Sequence, residues 1–167
     1  YWFDRKAYLY SSIAIAVSIS TKFLPIFLLL PIIFILWRSN QIREMFKYAA
    51  TTIGVWLAIN LPFALTTPTG WWRFYKLNLE RDADWGSLWL AFNQLGLGLA
   101  NLNYLAVLLL LIGLTAFVIF LFEVKNTPTL ASVAFIVLAI VMIASKVYSP
   151  QYVLWLTPLA VIALTNK

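Results

Sequence analysis

The segment from Asn103 to Phe122, NYLAVLLLLIGLTAFVIFLF, runs twenty residues without a charge. That length matches the roughly 20 apolar residues a helix needs to cross a bilayer core of ~30 Å. Two more runs, 48–65 and 129–145, are nearly as long and as apolar. None of them alternates apolar and polar residues as a membrane barrel strand does. Helices are therefore the spanning elements, because each then satisfies its backbone groups within its own segment. Only 11% of residues are charged and mean hydropathy is +0.88, leaving too much apolar surface for a water-soluble fold of this size.

Charges punctuate the chain. Asp4, Arg5 and Lys6 precede a run from Ala7 to Thr21; Lys22 follows, and a second run extends from Phe23 to Trp37. Pro25 and Pro31 would strain one long helix here, so two short spans turning at Lys22 are expected. A basic loop, RSNQIREMFK, covers 38–47, and the one long polar region lies within 66–102. EVKNTP separates the last long spans, and a final run from Gln151 to Thr165 contains Pro158. The expectation is an all-α, multispanning bundle of about six spans forming a single transmembrane domain over 1–167, with an extracytoplasmic loop or amphipathic helix at about 66–102.

Loop charge sets orientation. Arg5, Lys6, Arg38, Arg43, Lys47, Lys125 and Lys167 fall on one face; Lys22, Arg73, Lys76, Arg81 and Lys146 fall on the other. The short basic loops belong in the cytoplasm. Lys22, the 66–102 region and the break at 146–152 then lie on the extracytoplasmic side. All six Asp and Glu residues are expected in loops, which argues against a proton- or cation-coupled transporter. In GLGLAN (Gly96 to Asn101) the glycines read as a bend or a close helix contact.

The chain has no Cys and no His, which removes thiol nucleophiles, disulfides, zinc sites with such ligands and imidazole catalysis. Nothing calls for a metal or cofactor. Net charge is +6 but spread over both faces, so nucleic acid is no partner. Tyr1 is not an initiator and YWFDRK does not resemble a signal peptide, so the chain is expected to be part of a longer polypeptide.

SKVYSPQYVLWLTPL (Ser145 to Leu159) carries the least expected polarity. Lys146 reads either as a lysine snorkelling to headgroups or as a cation for a phosphate. Ser149 before Pro150 favours a turn that frees backbone N–H groups. Gln151 and Tyr152 add side-chain donors, while Tyr152 and Trp155 also suit an interfacial aromatic belt. Lys22 invites the same pair of readings. The stretch from Trp71 to Trp89 holds four tryptophans and three acids, Glu80, Asp82 and Asp84. It reads as an amphipathic helix in the headgroup layer, as a surface that stacks on sugar rings, or as both.

KVYSPQYVLWLTPL (Lys146 to Leu159) resembles the C-terminal signature of multispanning glycosyltransferases of the GT-C architecture, with the nearest likeness to family 87, the polyprenyl-phosphate-mannose-dependent mannosyltransferases. It also looks like the Gln-Tyr-x-x-Trp segment of the GPI mannosyltransferases. TKFLPIFLLLP (Thr21 to Pro31) is similar to a Lys-x-x-Pro helix start found there. NLPFAL and GWWRFYKLNLERDADWGSLW resemble the next span end and the following extracytoplasmic loop. The resemblance implies a hexosyltransferase, with mannose as the sugar, in a bacterial plasma membrane. It would use a polyprenyl-phosphate-linked donor, a lipid or glycan acceptor, and inversion on the extracytoplasmic face. Lys22, Lys146, Gln151 and Tyr152, with Arg81 as a weaker candidate, would bind the donor phosphate. The catalytic aspartate of such enzymes lies in an early loop upstream of this segment; Asp82 and Asp84 are weak candidates here. A lipid-linked-sugar flippase, another membrane transporter and a non-catalytic membrane subunit are the alternatives.

Overall fold

In the computed structural model residues 1–165 are described, and Lys167 of the charge count lies outside them. Helices take up 76% of the described residues and no strand occurs among them, so the class is all-α. The chain forms two compact units, Tyr1–Leu77 and Asn78–Lys167.

In the first unit α1 (Tyr8–Thr21) ends where Lys22 turns to extended backbone, with φ −152° and ψ 125°. A 3₁₀ helix, Leu24–Leu28, takes Pro25 in its first turn, where a missing N–H costs nothing. It leads into α2 (Leu29–Arg38) and then α3 (Ile42–Thr66). The break at Lys22 agrees with two helices rather than one across 7–37.

A polar ladder joins α1 to α3. The Ser11 hydroxyl lies 2.9 Å from Tyr48 Oη, Thr52 Oγ1 donates to the Ser12 carbonyl (3.4 Å), and Asn60 Nδ2 donates to Ser20 Oγ (3.0 Å). Partners advance together along both helices, so α1 and α3 run parallel. Their ends, Lys22 and the 60–67 stretch, therefore lie at the same end of the unit. Tyr48 is 1% exposed and Ala16 fully buried at this seam. Small side chains at four-residue spacing let the backbones approach, and the hydroxyls and amide replace apolar packing with hydrogen bonds. α4 (Pro68–Glu80) follows immediately.

The second unit begins with a strap, 81–87, then the short α5 (Leu88–Gln94) capped by Ser87 Oγ, which accepts from Leu90 N. α6 (Leu102–Glu123), α7 (Leu130–Ala144) and α8 (Gln151–Thr165) complete it. α7 packs against both α6 and α8 and carries the core: Val133, Val137, Leu138 and Met142 are buried. Gly113 lets α6 approach α7 closely, since a Cβ there would sit 2.6 Å from Ile140 Cγ2.

Two helices, α3 and α6, are long and apolar enough to cross a membrane. A core helix of a water-soluble protein buries its apolar side chains; the most apolar stretches of these two are only 6% and 11% buried. The other apolar helices are shorter, 10–17 residues.

Two expectations need correction. The basic loop 38–47 shrinks to 39–41, because α3 begins at Ile42. Not all six acids are in loops either: Glu80 and Glu123 are the last residues of α4 and α6, and Glu44 lies inside α3. It occupies the first turn, where an acid complements the helix dipole, and pairs with Lys47 Nζ at 2.7 Å. In GLGLAN the bend is the reading that holds: Gly96 turns at φ +77° with open space around it, Gly98 also meets nothing, and the close helix contact occurs at Gly113.

Candidate functional site

The polar residues of the second unit converge on the break between α7 and α8. Ser145 leaves α7 with extended backbone, and the chain stays non-helical through Pro150. Lys146 is the hub. Its ammonium donates to the Leu79 carbonyl (2.9 Å) near the end of α4 and to Asn103 Oδ1 at the start of α6. Its own carbonyl accepts from Asp84 N at 2.9 Å. The side chain thus caps the negative end of a helix while the main chain holds the strap. An ammonium has three N–H donors, and these contacts use two.

Burial lowers the Lys146 pKa from the ordinary lysine range, and the charge of Asp82 opposes that shift. Arg81 is engaged by Asp84, Nη2 to Oδ2 at 2.6 Å. Asp84 Oδ1 also accepts from the Trp85 N–H at 2.7 Å. That backbone bond first, and Arg81 second, hold the Asp84 carboxyl below the usual carboxylate range. A carboxylate so held is a weak proton acceptor.

Gln151 opens α8 and is exposed; Tyr152 is half-buried with its ring against Tyr148 (5.8 Å) and Trp155 (5.1 Å). The Ser-Pro turn does not leave all its backbone donors open: Tyr152 N bonds Ser149 O (2.8 Å) and Val153 N bonds Pro150 O (3.2 Å). Helix entry consumes these two.

Lys22 belongs to the first unit. It lines a pocket of about 380 Å³ between the ends of α1 and α3 and the face of α4, in the size range of small-molecule sites. Asn60 organises the pocket: Nδ2 donates to Ser20 Oγ and the Trp56 carbonyl (both 3.0 Å), and Oδ1 accepts from Trp71 Nε1 (3.1 Å). Trp71, Phe74 and Tyr75 form its aromatic wall, with Trp71 and Tyr75 ring centroids 5.0 Å apart.

Sequence reasoning named Lys22 and Lys146 but missed Asn60, Ser20 and Asn103. Asn60 was findable: Tyr48, Thr52, Trp56 and Asn60 recur every four residues on one helical face. Asn103 carries no such signal, because only tertiary structure brings it to Lys146. No cluster of three or more metal-ligating side chains occurs among the described residues.

No family model, curated protein or solved structure matches this chain.

Proposed function

We propose that the chain is the membrane body of a GT-C-type glycosyltransferase similar to family 87. It moves a sugar, mannose in this reading, from a polyprenyl-phosphate donor to a lipid or glycan acceptor, with inversion, on the extracytoplasmic face of a bacterial plasma membrane. Six spans are α1, the Leu24–Arg38 stretch, α3, α6, α7 and α8. The 14 residues of α1 extend only ~21 Å at about 1.5 Å per residue, so this body needs a locally thinned bilayer around its shorter helices.

The observation that carries the reading is Lys146: a partly desolvated ammonium fixed by Leu79 O and Asn103 Oδ1, with a third donor left for a ligand. Negative charge grows on the phosphate oxygen as the glycosidic bond breaks. A preorganised cation stabilises that charge without reorganising during the reaction. Gln151 and Tyr152, immediately after the Ser-Pro turn, add neutral donors; Lys22, in the first unit, is a further cation of the reading, outside the Lys146 cluster. Arg81 is the weakest member, because Asp84 already engages it. Phosphate leaves without a general acid. A carboxylate takes the acceptor hydroxyl proton, and Asp82 suits that role better than the Arg81-paired Asp84.

The test is transfer of radiolabelled mannose from polyprenyl-phosphate-mannose in membranes, comparing the full-length protein with Lys22→Ala, Lys146→Ala and Gln151→Ala. The reading expects losses on the order of 10²-fold for Lys146→Ala, the usual effect of deleting one charge-stabilising donor. Unchanged transfer in all three variants contradicts it.

A further inference from the structure

The Asn60 pocket is not alone. A second cavity of about 330 Å³, presenting only apolar atoms, adjoins it in the same unit; Ile19, Phe23, Trp71 and Tyr75 belong to the walls of both. Ile26, Leu29, Ile53 and Trp56 extend the apolar one. One cavity presents polar and apolar surface in similar measure, the other only apolar surface, and they share a wall of four side chains. That is the shape of a site for an amphiphile.

Hydrogen-bond accounting identifies the head. Ser20 Oγ donates to Ala16 O (2.9 Å), Thr21 Oγ1 to Ser18 O (2.9 Å) and Thr67 Oγ1 to Phe63 O (3.1 Å). Both amide protons of Asn60 are committed as well. What these groups still offer is oxygen lone pairs, so they take hydrogen-bond donors from a ligand. Donors could come from an ammonium or from hydroxyls. Lys22 lines the same pocket, and its charge repels a cationic head. Hydroxyls remain, and they can also accept from a lysine. The Trp71 and Tyr75 rings, tilted 57° to one another, each offer an apolar face to the C–H side of a sugar ring.

We infer that the first unit binds a glycolipid, with its neutral polyhydroxylated head in the Asn60 pocket and its hydrocarbon chain in the adjoining apolar trough. Binding stands independently of transfer chemistry. Only the use of the bound molecule, as the sugar acceptor, rests on the glycosyltransferase reading.

The experiment is photolabelling, without any donor, of the full-length protein in phosphatidylcholine nanodiscs. The probe is an alkyl β-glucoside with a diazirine in its chain; the comparison probe has the same chain on a phosphocholine head. Crosslinked peptides are mapped by mass spectrometry. The glucoside labels residues 52–56 and 71–75 about tenfold more than the phosphocholine probe, as two or three net hydrogen bonds provide. Thr67→Val, which deletes one acceptor at constant shape, lowers that labelling severalfold, and Asn60→Leu abolishes it. Helicity by circular dichroism shows whether each variant folds; if Asn60→Leu does not, Thr67→Val decides. Equal labelling by both probes, labels spread evenly over lipid-facing helices, or full labelling of folded Thr67→Val overturns the inference. Loss of transfer with labelling intact would instead strike the enzymatic reading.

Discussion

The Lys146 amine donates to the main-chain oxygen of Leu79, 67 residues earlier in the chain, at 2.9 Å. A side chain that sequence alone reads as headgroup-seeking or phosphate-binding is therefore also a helix cap. Replacing it by Met keeps the stem and removes the donors. Lys146→Met should destabilise the second unit by about 1–2 kcal/mol, the cost of leaving a carbonyl and an amide oxygen without their partner. Limited proteolysis should find the strap, 81–87, cut faster in this variant than in wild type.

The pH response of anion binding follows from the same residue. Burial lowers the pKa of Lys146, so the fold disfavours its charged form. The folded protein holds fewer protons on this group than the unfolded chain between the two pKa values, so this group's contribution to stability rises with pH across that window. Binding of an anion runs the other way: it needs the ammonium and should fade, as pH rises, before an ordinary lysine would titrate. The Asp84 carboxyl gives a stability effect of the same sign, rising with pH, but in the acid range. Its pKa is lowered, so the stabilisation of the strap is complete above the unfolded value and lost as pH falls through the folded one. Titrating polyprenyl phosphate binding from neutral to alkaline pH checks the first part, and strap proteolysis in acid checks the second.

Gly86 sits at φ +74°, and a Cβ there would lie 2.8 Å from the Tyr148 carbonyl oxygen. Gly96 has a similar φ of +77° with nothing nearby. Alanine at Gly96 should cost about 1 kcal/mol, the strain of the left-handed region alone. Alanine at Gly86 should cost roughly 2–4 kcal/mol, because backbone must also move. Thermal melting of the two variants in detergent measures the difference.

Tyr48 and Ser11 form the buried rung of the α1–α3 ladder. Tyr48→Phe leaves a buried hydroxyl without its tyrosine partner and should cost about 1–3 kcal/mol. Pairing it with Ser11→Ala should recover part of that loss, since both polar groups are then gone. A double-mutant cycle on unfolding free energies tests the coupling.

The helices were legible where runs were long and uniform. α6, α7 and α8 begin and end within a residue or so of the expected runs, since long uniformly apolar helices advertise themselves by composition alone. The turn at Lys22 was also legible from Pro25, which has no N–H to continue α1, whereas Pro31 breaks nothing and sits in the first turn of α2. The start of α3 was not: Arg43, Glu44 and Lys47 look like loop residues, yet Glu44 suits the first turn of a helix and pairs with Lys47. Among candidate site residues, Lys146 was legible by its isolation in an apolar context. Its partners Leu79 and Asn103 were not, because a carbonyl and an amide leave no mark in a one-dimensional pattern. The Asn60 pocket fell between: the four-residue recurrence of polar side chains on α3 was there to be read, but the facing serines of α1 gain meaning only once the two helices run parallel.

The central claim is that Lys146 grips an anionic lipid phosphate. The most direct measurement is the affinity of the full-length protein in nanodiscs for polyprenyl phosphate and for the uncharged polyprenol, in wild type and in Lys146→Ala. The account predicts that wild type favours the phosphate by at least about tenfold, as one charge-assisted hydrogen bond of about 1.5–3 kcal/mol allows, and that the substitution largely erases this preference. Equal affinity for the two lipids in wild type, or a preference for phosphate that survives in Lys146→Ala, contradicts it.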